Sequence, residues 1–92
     1  MSYPWHDRTR ALALALVRAP SETGTPGEAA FAATLRDLLA QHPYFRRHPE
    51  HLWVEPTRDD PHERANLFAL VRGDGGRALL LAGHYDVVSV GN

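Results

Sequence analysis

The sequence predicts a mixed α/β fold, because two stretches with helical spacing precede three short stretches of β-prone residues. The helical patterns cover residues 7–18 and 26–41. The predicted order is helix, helix, strand, strand, strand. With 92 residues, the chain is long enough for one small domain at most. Its 43% hydrophobic and 23% charged residues are typical of a globular protein rather than a disordered one.

The first helix is predicted over residues 7–18, with Asp7 as a plausible N-cap and Pro20 as the stop. Alanine and leucine alternate strictly over residues 11–16, a period that alone would fit a strand. Both residues are strong helix formers, which favours the helix.

The second helix has a clearer start. Thr25 can cap it, Pro26 suits its first position, and Glu28 stands three residues after the cap, which together predict a capping box. Pro43 ends the helix after residue 41. One apolar face is expected to be buried, made of Phe31, Leu35, Leu38 and Leu39.

The sequence of the second half of the chain predicts short strands separated by turns. Residues 43–50 are expected to be an irregular connection and residues 56–64 a charged turn region. The sequence Gly-Asp-Gly-Gly at 73–76 is a strong hairpin turn signal. Strands are predicted at 52–54, 66–71 and 77–82.

The last predicted strand carries three consecutive leucines, Leu79, Leu80 and Leu81, with no polar alternation. Such a pattern is typical of a strand covered on both faces. Covering both faces requires more helices than the two predicted. The sequence is therefore expected to be a piece of a larger α/β domain, truncated after the strand.

The composition excludes several kinds of chemistry. The formal net charge is −1, so no overall field would attract nucleic acid or an anionic membrane. All 10 basic residues are arginine and cysteine is absent, which excludes lysine Schiff bases, P-loop lysines, disulfides and thiolate sites within this chain. The longest apolar run, 11–17, is shorter than the roughly 18 residues that span a membrane. We expect a cytoplasmic protein without nucleic-acid or membrane partners, of undetermined oligomeric state.

His84 and Asp86 are the best candidates for chemistry, because they directly follow the predicted buried strand. Open α/β sheets bind their ligands at the carboxyl ends of strands. Positions i and i+2 of an extended segment point to the same side, so Asp86 could accept the other ring N–H of His84. A metal-bound histidine usually has such a partner. The alternative is a turn containing an exposed histidine.

The segment around these two residues resembles a known motif. Residues 83–88 read Gly-His-Tyr-Asp-Val-Val after a run of aliphatic residues, similar to the first zinc-site motif of the co-catalytic zinc amidohydrolases. These include glutamate carboxypeptidase, acetylornithine deacetylase and succinyl-diaminopimelate desuccinylase. Residues 66–69 resemble the hairpin strand of that family, and 21–28 resemble its early loop. Within that family, the residues at 44–45, 49–53 and 59–60 are most similar to the sequence of the arginine-utilisation branch.

The resemblance implies an aminopeptidase-like three-layer fold, of which residues 1–92 would form the N-terminal part of the catalytic domain: helix, helix, β-hairpin and buried strand. It implies that His84 ligates one of two zinc ions. It also implies that Asp86 belongs to the catalytic residues and orients the imidazole of His84. The remaining ligands and the general-base glutamate would lie beyond residue 92. In the complete enzyme, a zinc-activated water would attack the amide bond of an amino-acid derivative or small peptide. The 92-residue chain alone is expected to be inactive.

Two other interpretations remain open. The chain could be a non-catalytic α/β interaction module in which His84 is incidental. It could also be a small metal-carrying protein that uses the histidines of the connecting segments, although solvated surface histidines are the simpler explanation for these side chains. The histidines concerned are His42, His48, His51 and His62.

Overall fold

The computed structural model describes residues 4–88. The elements in that range are the helices α1 (Pro4–Arg18), α2 (Pro26–Leu39) and α3 (Pro43–Arg47), a 3₁₀ turn (Pro49–His51), and the strands β1 (Leu52–Pro56) and β2 (Ala65–Ala69). The predicted α/β class is confirmed. Of these described helices, none is both long enough and apolar enough to traverse a bilayer.

Helix α1 confirms that residues 11–16 are helical rather than extended. It already includes Pro4, so the prediction that Asp7 caps it was wrong, and Asp7 lies in the first turn instead. Proline is well tolerated there because the first-turn N–H groups have no intrahelical acceptor. Leu12 and Leu16 are half-buried, whereas Val17 is exposed.

Helix α2 begins as predicted, with Thr25 as the extended N-cap residue and Pro26 at the first helical position. The capping box does not form. The Thr25 hydroxyl donates instead to the Glu22 carbonyl at 2.6 Å, and the Glu28 carboxylate accepts the N–H of Gly24 at 2.8 Å. The helix ends at Leu39, two residues earlier than predicted.

The apolar face of α2 is only partly buried. Phe31 and the neighbouring Ala32 are buried, whereas Leu35, Leu38 and Leu39 are half-buried. The helix contacts both strands. Phe45 and Leu52 complete the buried apolar residues of the described chain. The core is therefore small and lies between α2, α3 and the hairpin.

The connection after α2 is helical, so the prediction of an irregular segment at 43–50 was wrong. Pro43 occupies the first turn of α3, and the ring Nδ1 of His42 accepts the N–H of Tyr44 at 3.2 Å as its N-cap. Pro49 begins the 3₁₀ turn in the same way. Pro43 was interpreted from the sequence only as the end of the preceding helix, whereas the fixed φ of proline also favours the first helical position.

The two strands form an antiparallel hairpin, with Leu52 paired to Ala69 and Pro56 paired to Ala65. Both predicted strands are confirmed, with β2 shifted to begin at Ala65. Side chains alternate between faces. Leu52 is buried, whereas the cross-strand pair Trp53 and Phe68 stacks on the other face, with ring centroids 5.2 Å apart.

The prediction of a third, buried strand at 77–82 was wrong for this structure. Those residues have no regular secondary structure, and the side chains of Leu79, Leu80 and Leu81 are 84%, 88% and 84% exposed. The Gly-rich segment 73–76 bends the chain but begins no hairpin. A strand requires a hydrogen-bonding neighbour and apolar cover, and residues 4–88 supply neither to this segment.

Candidate metal-ligating site at His84

His84 and Asp86 lie in an irregular segment rather than at the end of a strand. The structure nevertheless brings their side chains together, with His84 Nδ1 2.8 Å from Asp86 Oδ1 and 3.3 Å from the Asp86 carbonyl oxygen. The His84 side chain is 85% exposed and that of Asp86 is 34% exposed. When Nδ1 carries the proton and donates it to Asp86, Nε2 is the nitrogen that can ligate a metal.

The second oxygen of Asp86 is bound by a residue that sequence reasoning did not single out. The Thr23 hydroxyl donates to Asp86 Oδ2 at 2.8 Å. This hydrogen bond, followed by that from His84, lowers the pKa of Asp86 against the opposing effect of desolvation. Asp86 is therefore kept as a carboxylate, the form that accepts the imidazole N–H.

The loop at 21–23 also forms hydrogen bonds with the backbone of Val87, three residues after His84. The Val87 N–H donates to the Ser21 carbonyl at 3.0 Å, and the Thr23 N–H donates to the Val87 carbonyl at 2.9 Å. The two contacts form a short parallel bridge between Glu22 and Val87. The buried Ser21 hydroxyl donates to the Tyr85 carbonyl at 2.7 Å. Residues 85–87 are thus placed by hydrogen bonds to the loop before α2.

Tyr85 anchors the same segment to the core. Its ring stacks on Phe31 of α2, with centroids 4.8 Å apart, and its hydroxyl donates to the Ala65 carbonyl at the start of β2. Burial, followed by the nearby Glu28 carboxylate, raises the pKa of the Tyr85 phenol. Tyr85 therefore acts as a neutral hydrogen-bond donor between helix and hairpin.

Charged side chains lie beside this anchor. Arg64 Nε contacts Asp60 Oδ2 at 2.7 Å, and Arg64 NH1 lies 3.8 Å from Glu28 Oε1. The Asp60 side chain is only 2% exposed, and the hydrogen bond from Arg64 holds the pKa of this carboxyl well below its usual range. The same contact raises the pKa of Arg64, and the charge of Asp86 contributes in the same direction. A cavity of about 240 Å³ is lined by side chains that include Glu28, Arg64, His84 and Asp86.

The two glycines in the loop at 21–28, which resembles the early loop of the family, are each required by the local backbone structure. Gly24 has a φ of +78°, a conformation that favours glycine, and its N–H donates to the buried Glu28. A Cβ at Gly27 would lie 2.6 Å from the Pro20 carbonyl oxygen, so a larger residue would push α2 away from the loop. Gly24 and Gly27 thus allow the loop that contains Thr23 to lie close against the start of α2.

The donor set near His84 fits one imidazole ligand with its orienting carboxylate. A zinc site takes three or four protein ligands, so His84 alone does not complete one. Of the other histidines considered in the sequence, His42 caps α3 and His62 lines a separate surface cavity. His48 and His51 lie together with Glu50, outside the His84 site.

The chain is similar to two proteins of Bacillus subtilis (strain 168). It is 33% identical to "Protein RocB" over 86 residues, which are 91% of this chain and 15% of RocB. It is 36% identical to "Uncharacterized protein YqjN" over 91 residues, which are 98% of this chain and 16% of YqjN. The chain therefore spans about one sixth of the length of these relatives. No family model matches the chain, and no solved structure matches it.

Proposed function

We propose that this chain is part of a zinc-dependent amidohydrolase or peptidase, in which His84 ligates zinc and Asp86 orients the imidazole. The contact of 2.8 Å between His84 Nδ1 and Asp86 Oδ1 is the observation that supports this best. It keeps the proton on Nδ1 and leaves Nε2, on an exposed ring, available to a metal. Thr23 supports the arrangement by binding the other carboxylate oxygen.

The reaction class rests on the resemblance of residues 83–88 to the zinc-site motif. Zinc bound there would polarise an amide carbonyl and lower the pKa of a coordinated water. His84 would bind the ion, and Asp86 would maintain the tautomer and raise the basicity of the ligating nitrogen. The further ligands and the general base are expected outside this chain, which covers about one sixth of its relatives. Residues 1–92 would therefore be part of a catalytic domain and inactive alone.

The proposed substrate is an amide-linked amino-acid derivative or small peptide, and the proposed location is the cytoplasm. The similarity to RocB supports the arginine-utilisation branch to which the sequence resemblance pointed. Neither a nucleic acid nor a membrane is proposed as a partner, because the net charge is only −1.

The test is His84→Ala in the complete protein, with amide hydrolysis measured on a panel of N-acyl amino acids and dipeptides and zinc content measured by elemental analysis. We expect activity and zinc content to fall together, with activity reduced more than the roughly 10–100-fold typical of losing a residue behind a ligand. His62→Ala is the matched control, because His62 lies outside this site. A His84→Ala protein with unchanged activity and zinc would favour the interaction module instead.

A further inference from the structure

A second group of metal-ligating side chains lies at the 3₁₀ turn. His48, Glu50 and His51 each offer one donor atom, and these atoms all lie within 4.8 Å of one another. Glu50 Oε1 is 3.7 Å from His48 Nδ1 and 3.5 Å from His51 Nε2. We propose that these three residues bind a divalent transition metal, with zinc as the first candidate, at a site separate from His84.

The backbone explains why the two imidazoles meet. A 3₁₀ turn has three residues per turn, so side chains at i and i+3 lie directly above one another. His48 and His51 are three residues apart, and the His51 N–H donates to the His48 carbonyl at 3.0 Å. Their rings accordingly stack with centroids 5.0 Å apart and planes within 8°. Pro49 starts the turn and thereby sets this register.

Two of the three donor–donor distances are close to those of a metal site, and the third, between the His48 and His51 nitrogens, lies within 4.8 Å and would shorten as the side chains rotate. Zinc binds imidazole nitrogen at about 2.0–2.1 Å and carboxylate oxygen at about 2.0–2.2 Å, so tetrahedral donors lie about 3.3 Å apart. Glu50 Oε1 is already within a few tenths of an ångström of that separation from both nitrogens. Three protein donors leave a fourth position for water.

One of the ligands is held by contacts behind it. The Tyr44 hydroxyl lies 2.8 Å from His51 Nδ1, and the same oxygen accepts the Arg72 N–H at 2.8 Å. In the metal-bound form, the Nδ1–H of His51 would donate to Tyr44 and Nε2 would face the ion, the usual arrangement behind a ligating histidine. The His51 side chain is 17% exposed, so its ring is held in place.

The other two proposed ligands, His48 and Glu50, are open to solvent, which gives an ion a path to the site. The three donors together determine which metal is preferred. The side chains of His48 and Glu50 are 43% and 64% exposed, so an ion can reach the turn without opening the fold. Two imidazoles and one carboxylate suit zinc, cobalt, nickel or copper, whereas magnesium and calcium prefer all-oxygen sites. The cluster therefore predicts selectivity for zinc over magnesium.

The experiment is a calorimetric titration with zinc chloride of the complete protein carrying His84→Ala, which removes a ligand of the other proposed site. His48→Ala, His51→Ala, Glu50→Gln and Tyr44→Phe are compared in that background, and His62→Ala is the matched histidine control. Heteronuclear NMR of the imidazole nitrogens assigns the ligated atoms. Far-UV circular dichroism checks that each variant is folded.

We expect this cluster to contribute about one equivalent of zinc to the His84→Ala protein, beside any zinc held by ligands beyond residue 92, and to bind no magnesium. His48→Ala, His51→Ala and Glu50→Gln should each weaken that binding by more than about tenfold, and Tyr44→Phe by about tenfold. His62→Ala should leave it unchanged. If His51→Ala does not fold, His48→Ala and Glu50→Gln decide, because their side chains are 43% and 64% exposed, against 17% for His51. Zinc binding that is absent in the background protein, or unchanged in both of these variants, would overturn the proposal.

Discussion

Residues 85–87 and 79–81 lie only a few positions apart in the chain, yet the first segment packs against the rest of the protein and the second is exposed. Tyr85 stacks on Phe31, and the backbone of Val87 is bonded to the loop at 21–23. The three leucines at 79–81 are more than 80% exposed. Apolar character alone therefore does not bury a segment. The packed segment is the one whose backbone forms hydrogen bonds to the loop at 21–23 and whose aromatic ring stacks on α2.

His84 lies between these two segments, and its side chain is hydrogen-bonded on the side of residues 85–87. Asp86 holds the ring nitrogen, and Thr23 in turn holds Asp86. The neighbouring Gly83 has no atom near the position that its Cβ would occupy. The candidate ligand is thus positioned from its carboxyl-terminal side.

The largest expected effect comes from removing the ring on which Tyr85 stacks. Phe31→Ala should lower the free energy of unfolding by about 3–5 kcal/mol, because a buried phenylalanine leaves a cavity that neighbours fill only partly. Urea denaturation of the protein measures this loss. Leu35→Ala, one turn further along α2, should cost less because Leu35 is half-buried. Equal losses for the two variants would contradict the assigned role of the Phe31–Tyr85 stack.

A smaller effect is expected from Asp86→Asn, which keeps the shape of the side chain but weakens the hydrogen bond to His84. In the complete protein, zinc affinity or amide hydrolysis should fall about 10–100-fold, as for other carboxylates behind a metal-bound histidine. Zinc titration and steady-state kinetics measure the change. Wild-type values for both would remove Asp86 from the proposed site.

Thr23→Val should have a smaller effect again. It removes the hydroxyl whose single proton is directed to Asp86 Oδ2 at 2.8 Å, with the Val87 carbonyl as the longer alternative acceptor at 3.1 Å, and the expected loss in the free energy of unfolding is about 1 kcal/mol. Thr34→Val is the matched control, because the Thr34 hydroxyl makes only a helix contact at 3.4 Å. Equal losses in the two variants would argue against a specific role for Thr23.

The same variant changes the pH dependence of stability. The pKa of Asp86 is lowered in the folded state, first by Thr23, so its contribution is present above the ordinary value of 3.8 and is lost as the pH falls through the folded-state pKa. In Thr23→Val the pKa of Asp86 should rise towards 3.8, and less stability should be lost on the acid side. Carboxyl NMR titration measures this pKa. An unchanged pKa would show that Thr23 does not set it.

The smallest effect is expected in the exposed segment. In the 92-residue chain alone, Leu80→Ser should change the free energy of unfolding by no more than about 0.5 kcal/mol, because an exposed side chain loses little when it is replaced. Denaturation beside Phe31→Ala gives the contrast directly. A loss above about 1 kcal/mol would mean that Leu80 is packed in the protein, as its sequence predicts for a buried strand.

Local sequence determined the elements whose stabilising contacts lie nearby in the chain. The helix after Thr25, the strand at 52–54 and the approach of His84 to Asp86 all depend on caps, alternation or an i, i+2 relation. The same kind of reasoning failed at residues 43–50, which were expected to be irregular, because a proline can begin a helix as well as follow one.

Tertiary structure alone decided how these elements meet. Thr23 and Asp86 are 63 positions apart, and Tyr44 and Arg72 are 28 apart, so no local pattern predicts either hydrogen bond. The three leucines show the reverse case, in which a strong local pattern produces no strand because residues 4–88 offer it no partner. A sequence sets backbone preferences within a few residues, whereas hydrogen bonds and apolar cover between distant segments exist only once the chain has folded.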